Sequence, residues 1–557
     1  MWRSVVGRKT SLLSKKLRLG ILLDTFEVPA WVVGAIERIT KGDAGEFVLA
    51  ISNGAGPCRR DSPGNTWIYS AFNWADERLL RKEPDPFAPT SIKGLLANVP
   101  EIRVSPVQAG GFCSLKESDI SAIRNCELDV LIRIGFECLQ CEELHVARYG
   151  IWYYYHGDDT TTSGGPPGFW EVAENRAVTG TALISVGGDE FARRVLYRSY
   201  FFTYPLSPAR HRSYYFWAAA SFLPRQIEGL HRLGAAKFRQ HTERFNNVPT
   251  SAPRNYLPPT GFLAAIPVAR IMGRLVREFV KRLFYLDQWF LLLSLKKGIS
   301  DGFAGFEVLM PSKDRFWADP HVTQRDGKYY IFLEEFLRTE HRGHISVIEV
   351  DELGRWKMPI KVLERPHHLS YPFVFQSDGR LYMVPESRAN RTIDLYECME
   401  FPHRWEFKKT LIANISAVDS TLLHHAGKWW LFTAVAENEA AAPNVELFLY
   451  YSDDLLDGQW NSHLQNPIVS DARSARPAGS LLLENGKLFR PSQNCAETYG
   501  HGFDLNEITV LSESDYCERR TMSIRPDWDR TILATHTYAH QGSLTVIDAF
   551  TYAKRMA

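Results

Sequence analysis

The 557-residue sequence has no uninterrupted apolar run of the ~18 residues that a membrane-spanning helix requires. Near its start the run LGILL is cut by Asp24, too short for a secretory leader. Residues 1–16 read as a loose basic tail. These absences point to a cytoplasmic protein, or one that lies on a membrane surface without crossing it. Cysteine is scarce, with eight residues and one CxxC, Cys138 to Cys141. No second pair stands at zinc-site spacing, so no metal is expected and the thiols read as reduced. Neither sign of charge is in excess. The net value of +1 argues against nucleic acid as a partner. Apolar residues are plentiful at 45% of the chain, enough to exclude general disorder.

The second half repeats a phrase. DPHVTQRDGKYYIFLEE (319–335), YPFVFQSDGRLYMVPES (371–387), DSTLLHHAGKWWLFTAV (419–435) and AGSLLLENGKLFRPSQN (478–494) each read as an apolar strand, a glycine turn and a second apolar strand. The turn glycines Gly327, Gly379, Gly427 and Gly486 are separated by steps of 52, 48 and 59. Such a period, with several strands in each, marks a β-propeller. A weaker copy at 525–550 reads as lacking the glycine turn and brings the expected blade number to five. QWFLLLSL (288–295) reads as the strand that closes the ring against the last blade.

Eight residues before the turn glycines stand Asp319, Tyr371, Asp419 and Ala478; seven after stand Glu334, Glu386, Ala434 and Gln493. Scaffold positions should recur in every copy. Positions that differ at one register are where a symmetric scaffold carries an asymmetric site, and a propeller's innermost strands face its central channel.

In the first half, LRLGILL (17–23), FVLAISN (47–53) and DVLIRIGF (129–136) alternate with the helical stretch 28–39. This βαβ order predicts an open, largely parallel sheet whose ligands bind beyond the strands' carboxyl ends, at the loops after Leu23, Asn53 and Gly135. Residues 205–245 read as helical packing. The Pro-, Asn- and Ser-rich stretch 246–260 reads as a linker. In 261–285, Arg270, Arg274, Arg277 and Lys281 make one basic stripe and Ile271, Leu275 and Phe279 lie on another face. That amphipathic helix is either an interdomain spacer or a peripheral membrane contact. The expected division is therefore 1–16, 17–245, 246–285 and 286–557.

GIWYYYHGDDTTTSGGPPGFWEV and TGTALISVGGDEF, following DVLIRIGFECL, resemble the 10-formyltetrahydrofolate-dependent formyltransferases. Thr179-Gly180 and the Gly-Pro loop match that family. The resemblance implies a Rossmann-type α/β domain over roughly 17–200, a folate cofactor near Gly135, Phe136 and Leu139, and His156 as the catalytic histidine, or with no insertion Tyr155 in its place. The family's Asn falls on Tyr153 or Tyr154, and its Asp falls on Phe191 with Asp189 two residues earlier. The implied activity, N-formylation of an amino sugar, therefore lacks two of its three groups.

RFWADPHV, HHLSYPFVFQSDGRLYMVPES, VDSTLL, NPIVSDARSARPAG and LFRPSQNCAETYG resemble the propeller-type N-terminal domain of plant glucosamine inositolphosphorylceramide transferases. The Asp-Pro and DGKYY words are more distantly similar to five-bladed arabinanases, xylosidases and invertases. The first resemblance implies a glycan or glycolipid context. The second implies that Asp319, before Pro320, is a base or nucleophile, with a further Asp and Glu from later blades. The candidate catalytic residues are thus Asp319, Glu334, Glu386 and Asp419. His368, Tyr371, Arg476, Arg490, Gln493, Tyr499 and His536 would suit a sugar bearing phosphate or carboxylate, since arginine grips such groups with two hydrogen bonds. The expected fold is an α/β formyltransferase-like domain followed by an all-β five-bladed propeller. The expected role is modification of a sugar, sugar nucleotide or glycolipid by glycosidase- or glycosyltransferase-like chemistry. The alternative is a non-catalytic glycan-binding protein.

Overall fold

A computed structural model describes residues 15–555 except 57–66, 110–111, 142–143, 158–161, 164, 189–192, 247–253, 257–258, 261–263, 296–298, 300–301 and 498–499. The chain forms two compact units. One comprises Met1–Trp170, Gly180–Arg198 and Arg212–Ala265; the other comprises Glu171–Thr179, Ser199–His211 and Ile266–Ala557. The basic tail at 1–14, Asp189, Phe191 and Tyr499 lie outside the described residues.

The first half is built on a seven-stranded mixed sheet. Leu17–Leu23 pairs in parallel with Gly45–Asn53 on one side and Val130–Arg133 on the other. Glu101–Val104 and Ile151–His156 extend the parallel set at its two ends, and Val178–Val186 pairs antiparallel to Ile151–His156. Numbered along the chain, the parallel strands run 3-2-1-4-5 across the sheet. The order reverses between Leu17–Leu23 and Val130–Arg133, where a ligand crevice forms in open sheets of this kind. The helix Ala30–Lys41 makes the first crossover. Trp31, Val32, Ala35, Ile36 and Ile39 are buried at helical spacing, and the helix ends where the Gly42 N–H turns back to the Ile39 carbonyl.

The second half contains five sheets, each with a path of four antiparallel strands. Four begin with the hairpins read in the sequence. Their two-residue turns, Asp326-Gly327, Asp378-Gly379, Ala426-Gly427 and Asn485-Gly486, place both residues at positive φ. That is the turn whose twist matches the flanking strands. The fifth sheet is assembled from both ends of the unit. Tyr538–Gln541 and Leu544–Lys554 form its hairpin, Leu544–Lys554 pairs along its length with Tyr285–Ser294, and Glu307–Leu309 is outermost. The predicted closing strand therefore closes the ring. The fifth hairpin does have a glycine turn, contrary to the sequence reading. Gly542, at φ 60, occupies the first turn position, whereas the other four hairpins have glycine in the second.

Apolar side chains fill each junction between neighbouring blades. Phe332, Ile345 and Trp405 join blades one and two; Phe373, Leu395 and Leu431 join two and three. Phe432, Leu449 and Ile508 join three and four; Phe290, Phe503 and Ile547 join four and five; Leu291, Trp317 and Val546 join five and one.

The innermost strands share an irregularity. Pairing slips between Ala318 and His321, between Ser370 and Phe373, and between Val418 and Thr421. At these bulges Asp319, Tyr371 and Asp419 take φ of 53°, 40° and 51°. The register singled out by sequence is thus a left-handed bulge that turns one side chain out of the strand's alternation. In the fourth blade the neighbouring Gly479 has φ 130, and a Cβ there would lie 2.0 Å from the Tyr538 carbonyl oxygen. Gly479→Ala should therefore cost at least about 2 kcal/mol. Gly379→Ala, at a turn with nothing near its missing Cβ, should cost about 1 kcal/mol. Denaturant midpoints of the two variants measure the contrast, and equal shifts would contradict the packing described for Gly479.

Candidate functional site

Acids from four blades meet in one largely buried cluster, and the bulges deliver two of them, Asp319 and Asp419. Asp319 is held by its neighbours on both sides. Its Oδ1 accepts from Thr537 Oγ1 at 3.0 Å and lies 3.1 Å from His536 Nε2, and its Oδ2 accepts from the Tyr371 backbone N–H at 3.3 Å. His536 Nδ1 lies 2.7 Å from Asp548 Oδ2. Asp548 in turn accepts three backbone N–H bonds, from His536, Thr537 and Asp319. The imidazole is thus clamped between two carboxylates, and an aspartate from the fifth blade fixes the Asp319 backbone.

Asp419 is the second fixed acid. Arg476 reaches both of its oxygens, Nη2 to Oδ1 at 3.1 Å and Nε to Oδ2, and Gln493 Nε2 donates to Oδ2 at 2.8 Å. Glu386 Oε2 lies 3.7 Å from Arg476 and makes no hydrogen bond among the described residues. Glu334 Oε1 lies 3.4 Å from His368 Nε2, and His368 Nδ1 accepts from the Gly343 N–H at 2.9 Å. His368 is the most solvent-open of these groups, its side chain 37% exposed.

This arrangement divides the protons unequally. Burial alone would raise the Asp319 carboxyl, but the hydrogen bond and charge of His536, helped by Arg476 and Thr537, outweigh it and hold the group at about 2. Burial raises Glu334 well above the ordinary carboxylate range, and the charges of Asp319 and Glu386 raise it further, against His536. Burial also raises Glu386, together with the Asp419 charge. Arg476 opposes this but is already spent on Asp419 at shorter distance. His536 is driven the other way: desolvation lowers it, yet Asp548 and Asp319 carry it well above its ordinary value. These surroundings favour the ionised form of Asp319, the cationic form of His536 and the protonated forms of Glu334 and Glu386.

Several expected site residues are placed otherwise. Arg490 does not face the acids. Its guanidinium is buried against Glu518, at 2.8 and 2.7 Å, and the Ser474 carbonyl, because its strand position points the side chain toward the outer strands of its own blade. Tyr371 is fully buried. Its hydroxyl accepts from the Gly479 N–H at 2.8 Å and shares a hydrogen bond with Thr421, so it ties three blades together. Gln493 is likewise buried, donating to Asp419 and to the Pro477 carbonyl. Tyr499 lies outside the described residues.

Four neighbours were missed by sequence. Asp548 stands alone as an acid in the apolar strand LTVIDAF, a signal that was available. Thr537 gave none. His321, two residues beyond Asp319, is buried edge-on to Tyr371 and is held down at about 4 by burial against the pull of Asp319. Arg388 bonds Ser416 Oγ at 2.9 Å and is lowered by burial against the pull of Glu386. Asp319, His536 and Asp548 offer ligand atoms within 4.8 Å of one another, close enough to share a metal ion. Those atoms already face each other and backbone N–H groups, so the cluster is complete as an ion-pair relay.

In the first unit, Asp24 stands at the strand-order reversal. Its Oδ1 accepts from Asn53 Nδ2 at 2.8 Å and its Oδ2 from the Phe136 N–H at 3.3 Å, linking the three loops singled out by sequence. A Cβ on Gly135 would lie within 2.7 Å of the Asp24 backbone nitrogen and carboxylate, so this glycine admits Asp24. Phe136 and Leu139 are buried in the core rather than presented to a cofactor. His156 lies among Trp31, Tyr154, Tyr215 and Phe216, the last at 4.0 Å between ring centroids. Burial depresses it to about 3, and its Nδ1 has no hydrogen-bond partner among the described residues. It is packed among aromatic rings that favour its neutral form, and among the described residues no carboxylate is recorded against it.

A family model described as glucosamine inositolphosphorylceramide transferase 1, N-terminal, matches residues 307–529. Glucosamine inositolphosphorylceramide transferase 1 of Oryza sativa subsp. japonica and that of Arabidopsis thaliana are each 35% identical over 206 residues, 36% of this chain and 27% of theirs. The chain thus spans about a quarter of the length of these curated relatives. Among solved structures, Zg3597, a family 117 glycoside hydrolase of Zobellia galactanivorans, superposes with a TM-score of 0.32 at 12% identity, over 48% of this chain and 91% of that one. The catalytic domain of the Coprinopsis cinerea GH62 α-L-arabinofuranosidase gives 0.34 at 12%, over 44% and 95%. Neither superposition bears on the chemistry of the site.

A carboxyl whose native pKa is raised contributes stability below its ordinary range and loses it as pH rises through the native value. The Glu334→Gln, Glu386→Gln double variant mimics the protonated forms. Its melting temperature should therefore gain on the wild type as pH rises from about 4.5 toward neutrality. A difference that stays constant with pH would show that both glutamates ionise normally.

Proposed function

We propose that the propeller acts on the sugar portion of a glycolipid or related glycoconjugate, by glycosyl cleavage or transfer. The carrying observation is one dry cluster in which Asp319 is paired with His536 at 3.1 Å while Glu386, 3.7 Å from Arg476, has an oxygen without a hydrogen-bond partner among the described residues. Glycosidic chemistry requires one protonated carboxyl to donate to the leaving oxygen and one ionised carboxyl to attack or to activate the acceptor. Glu386, whose protonated form burial favours and whose Oε2 has no hydrogen-bond partner among the described residues, is the acid. Asp319 is the base or nucleophile, with His536 and Asp548 fixing its orientation. His368 and Glu334 stand at the more open side, and Arg476 and Arg388 supply positive charge for a phosphate-bearing substrate. The family match over 307–529 supports this substrate class, because the relatives are named for joining glucosamine to inositolphosphorylceramide.

A second reading is glycan binding without turnover. It is favoured by one observation: both oxygens of Asp319 and of Asp419 already accept hydrogen bonds from the protein. The variants separate the two. Asp319→Asn keeps the left-handed backbone that asparagine tolerates and removes the charge. Turnover of sugar nucleotide with an inositolphosphoceramide acceptor, followed by mass spectrometry, should fall by about 10²–10⁴-fold in Asp319→Asn and in Glu386→Gln. Their melting temperatures should stay within a few degrees of wild type. If Asp319→Asn unfolds the unit while turnover per folded molecule is unchanged, Asp319 is structural. Calorimetric binding of the same ligands without turnover in the wild type would select the binding reading.

For the first unit we infer that formyl transfer is absent at enzymatic rates, because His156 is caged by aromatic rings. Incubation with 10-formyltetrahydrofolate and an amino sugar should give no formamide above the uncatalysed background. Rapid formylation that His156→Phe abolishes would contradict this.

A further inference from the structure

The helix Ala265–Phe284 has the wrong face exposed for an internal spacer. Ile266, Met272, Val276, Phe279, Val280, Leu283 and Phe284 are each between 43% and 64% exposed. From Met272 they recur at steps of four, three, one, three and one, which places them on one side of the helix. The described residues buried in this helix are Pro267 and Ile271, on the other side. A spacer helix would turn its apolar face to the core and its charges to water. Here the apolar side faces out over a length of about 30 Å.

Positive charge borders that side. The helix carries five basic residues and one acidic residue in a chain whose net charge is only +1. Two of the cations serve the fold. Arg274 Nε donates to the Pro205 carbonyl at 3.0 Å, and Lys281 Nζ donates to the Tyr552 hydroxyl at 2.8 Å. Arg270 and Arg277 make no hydrogen bond or ion pair among the described residues. They flank an open groove of about 530 Å³, lined also by Ile266, Ala269, Gly273 and Arg274. A Cβ at Gly273 would meet nothing within 4 Å, so the groove floor is empty between the arginines.

The helix is also fixed to the propeller. It runs directly into the ring-closing strand Tyr285–Ser294, and the Arg555 N–H donates to the Phe284 carbonyl at 2.8 Å. No helix among the described residues is long and apolar enough to cross a membrane. The combination of a long exposed apolar side, a border of arginines and too little hydropathy to span is that of a helix lying in a lipid interface.

We propose that Ala265–Phe284 seats the propeller on an anionic membrane surface, with its apolar side among the acyl chains and Arg270 and Arg277 on lipid phosphates. Ala265–Phe284 contributes none of the channel residues described above, so membrane seating is separable from catalysis there. The test is flotation of the full chain with vesicles of phosphatidylcholine alone or mixed with phosphatidylserine. The wild type should float with the mixed vesicles, less so at high salt. Arg270→Ala and Arg277→Ala should each weaken partitioning about fivefold. Val276→Glu, Phe279→Glu and Leu283→Glu combined should abolish it with the melting temperature unchanged, since these side chains are already exposed. The milder pair Phe279→Ser and Leu283→Ser should weaken it in the same direction and guards against misfolding of the triple variant. Absence of flotation at low salt, or equal flotation of folded variants, would overturn the proposal. So would a wild-type dimer that the triple variant converts to monomer without any vesicle binding, which would assign the face to a second copy.

Discussion

The second unit is organised around an electrostatic constraint: five carboxyl groups share the middle of a ring with two firmly placed cations. Asp319, Asp548, Asp419, Glu334 and Glu386 face His536 and Arg476, and every one of these groups is largely removed from water. Charges in such surroundings persist only when paired and hydrogen-bonded. The aspartates have that pairing. His536 sits between two of them and Arg476 grips the third. The glutamates have no cation at hydrogen-bond distance: Glu334 lies 3.4 Å from His368, and Glu386 lies 3.7 Å from an arginine already engaged. Burial therefore favours their protonated forms.

Backbone geometry makes this crowding feasible. A strand pleat alone would point alternate residues into the neighbouring blade, where apolar side chains form the junctions. The left-handed bulge breaks that alternation once per inner strand and delivers Asp319, Tyr371 and Asp419 to the ring centre. Aspartate accepts such a backbone readily, whereas a bulky tyrosine does not. The Tyr371 strain is offset by the hydrogen bonds its hydroxyl shares with Thr421 of the third blade and accepts from Gly479 of the fourth. The same contacts that hold the blades together therefore aim the acids.

Much of this was legible in the sequence because it repeats. The turn glycines marked four hairpins, a weaker copy at 525–550 brought the blade number to five, and unequal residues at a common register picked out Asp319, Glu334, Glu386 and Asp419. Features that do not repeat were harder to read. Gly542 moved to the other turn position and hid the fifth hairpin. Asp548 has no counterpart in the other blades, so no register drew attention to it. The partner of Arg490, Glu518, lies two strands outward, and no counting from a turn predicts which way an arginine bends. In the first unit the histidine was visible, but the rings around His156 come from Trp31 and Phe216, far away in sequence, and they decide its ionisation.

The central claim is that one ring centre holds ionised and protonated carboxyl groups together at neutral pH. Infrared difference spectroscopy of the folded protein observes this directly, through the carbonyl stretch of protonated carboxylic acids. Wild type at neutral pH should show that band, Glu334→Gln and Glu386→Gln should each remove part of it, and Asp319→Asn should leave it in place. A spectrum without protonated carboxyl at neutral pH, or a band that disappears only with Asp319→Asn, would contradict the assignment of acid and base.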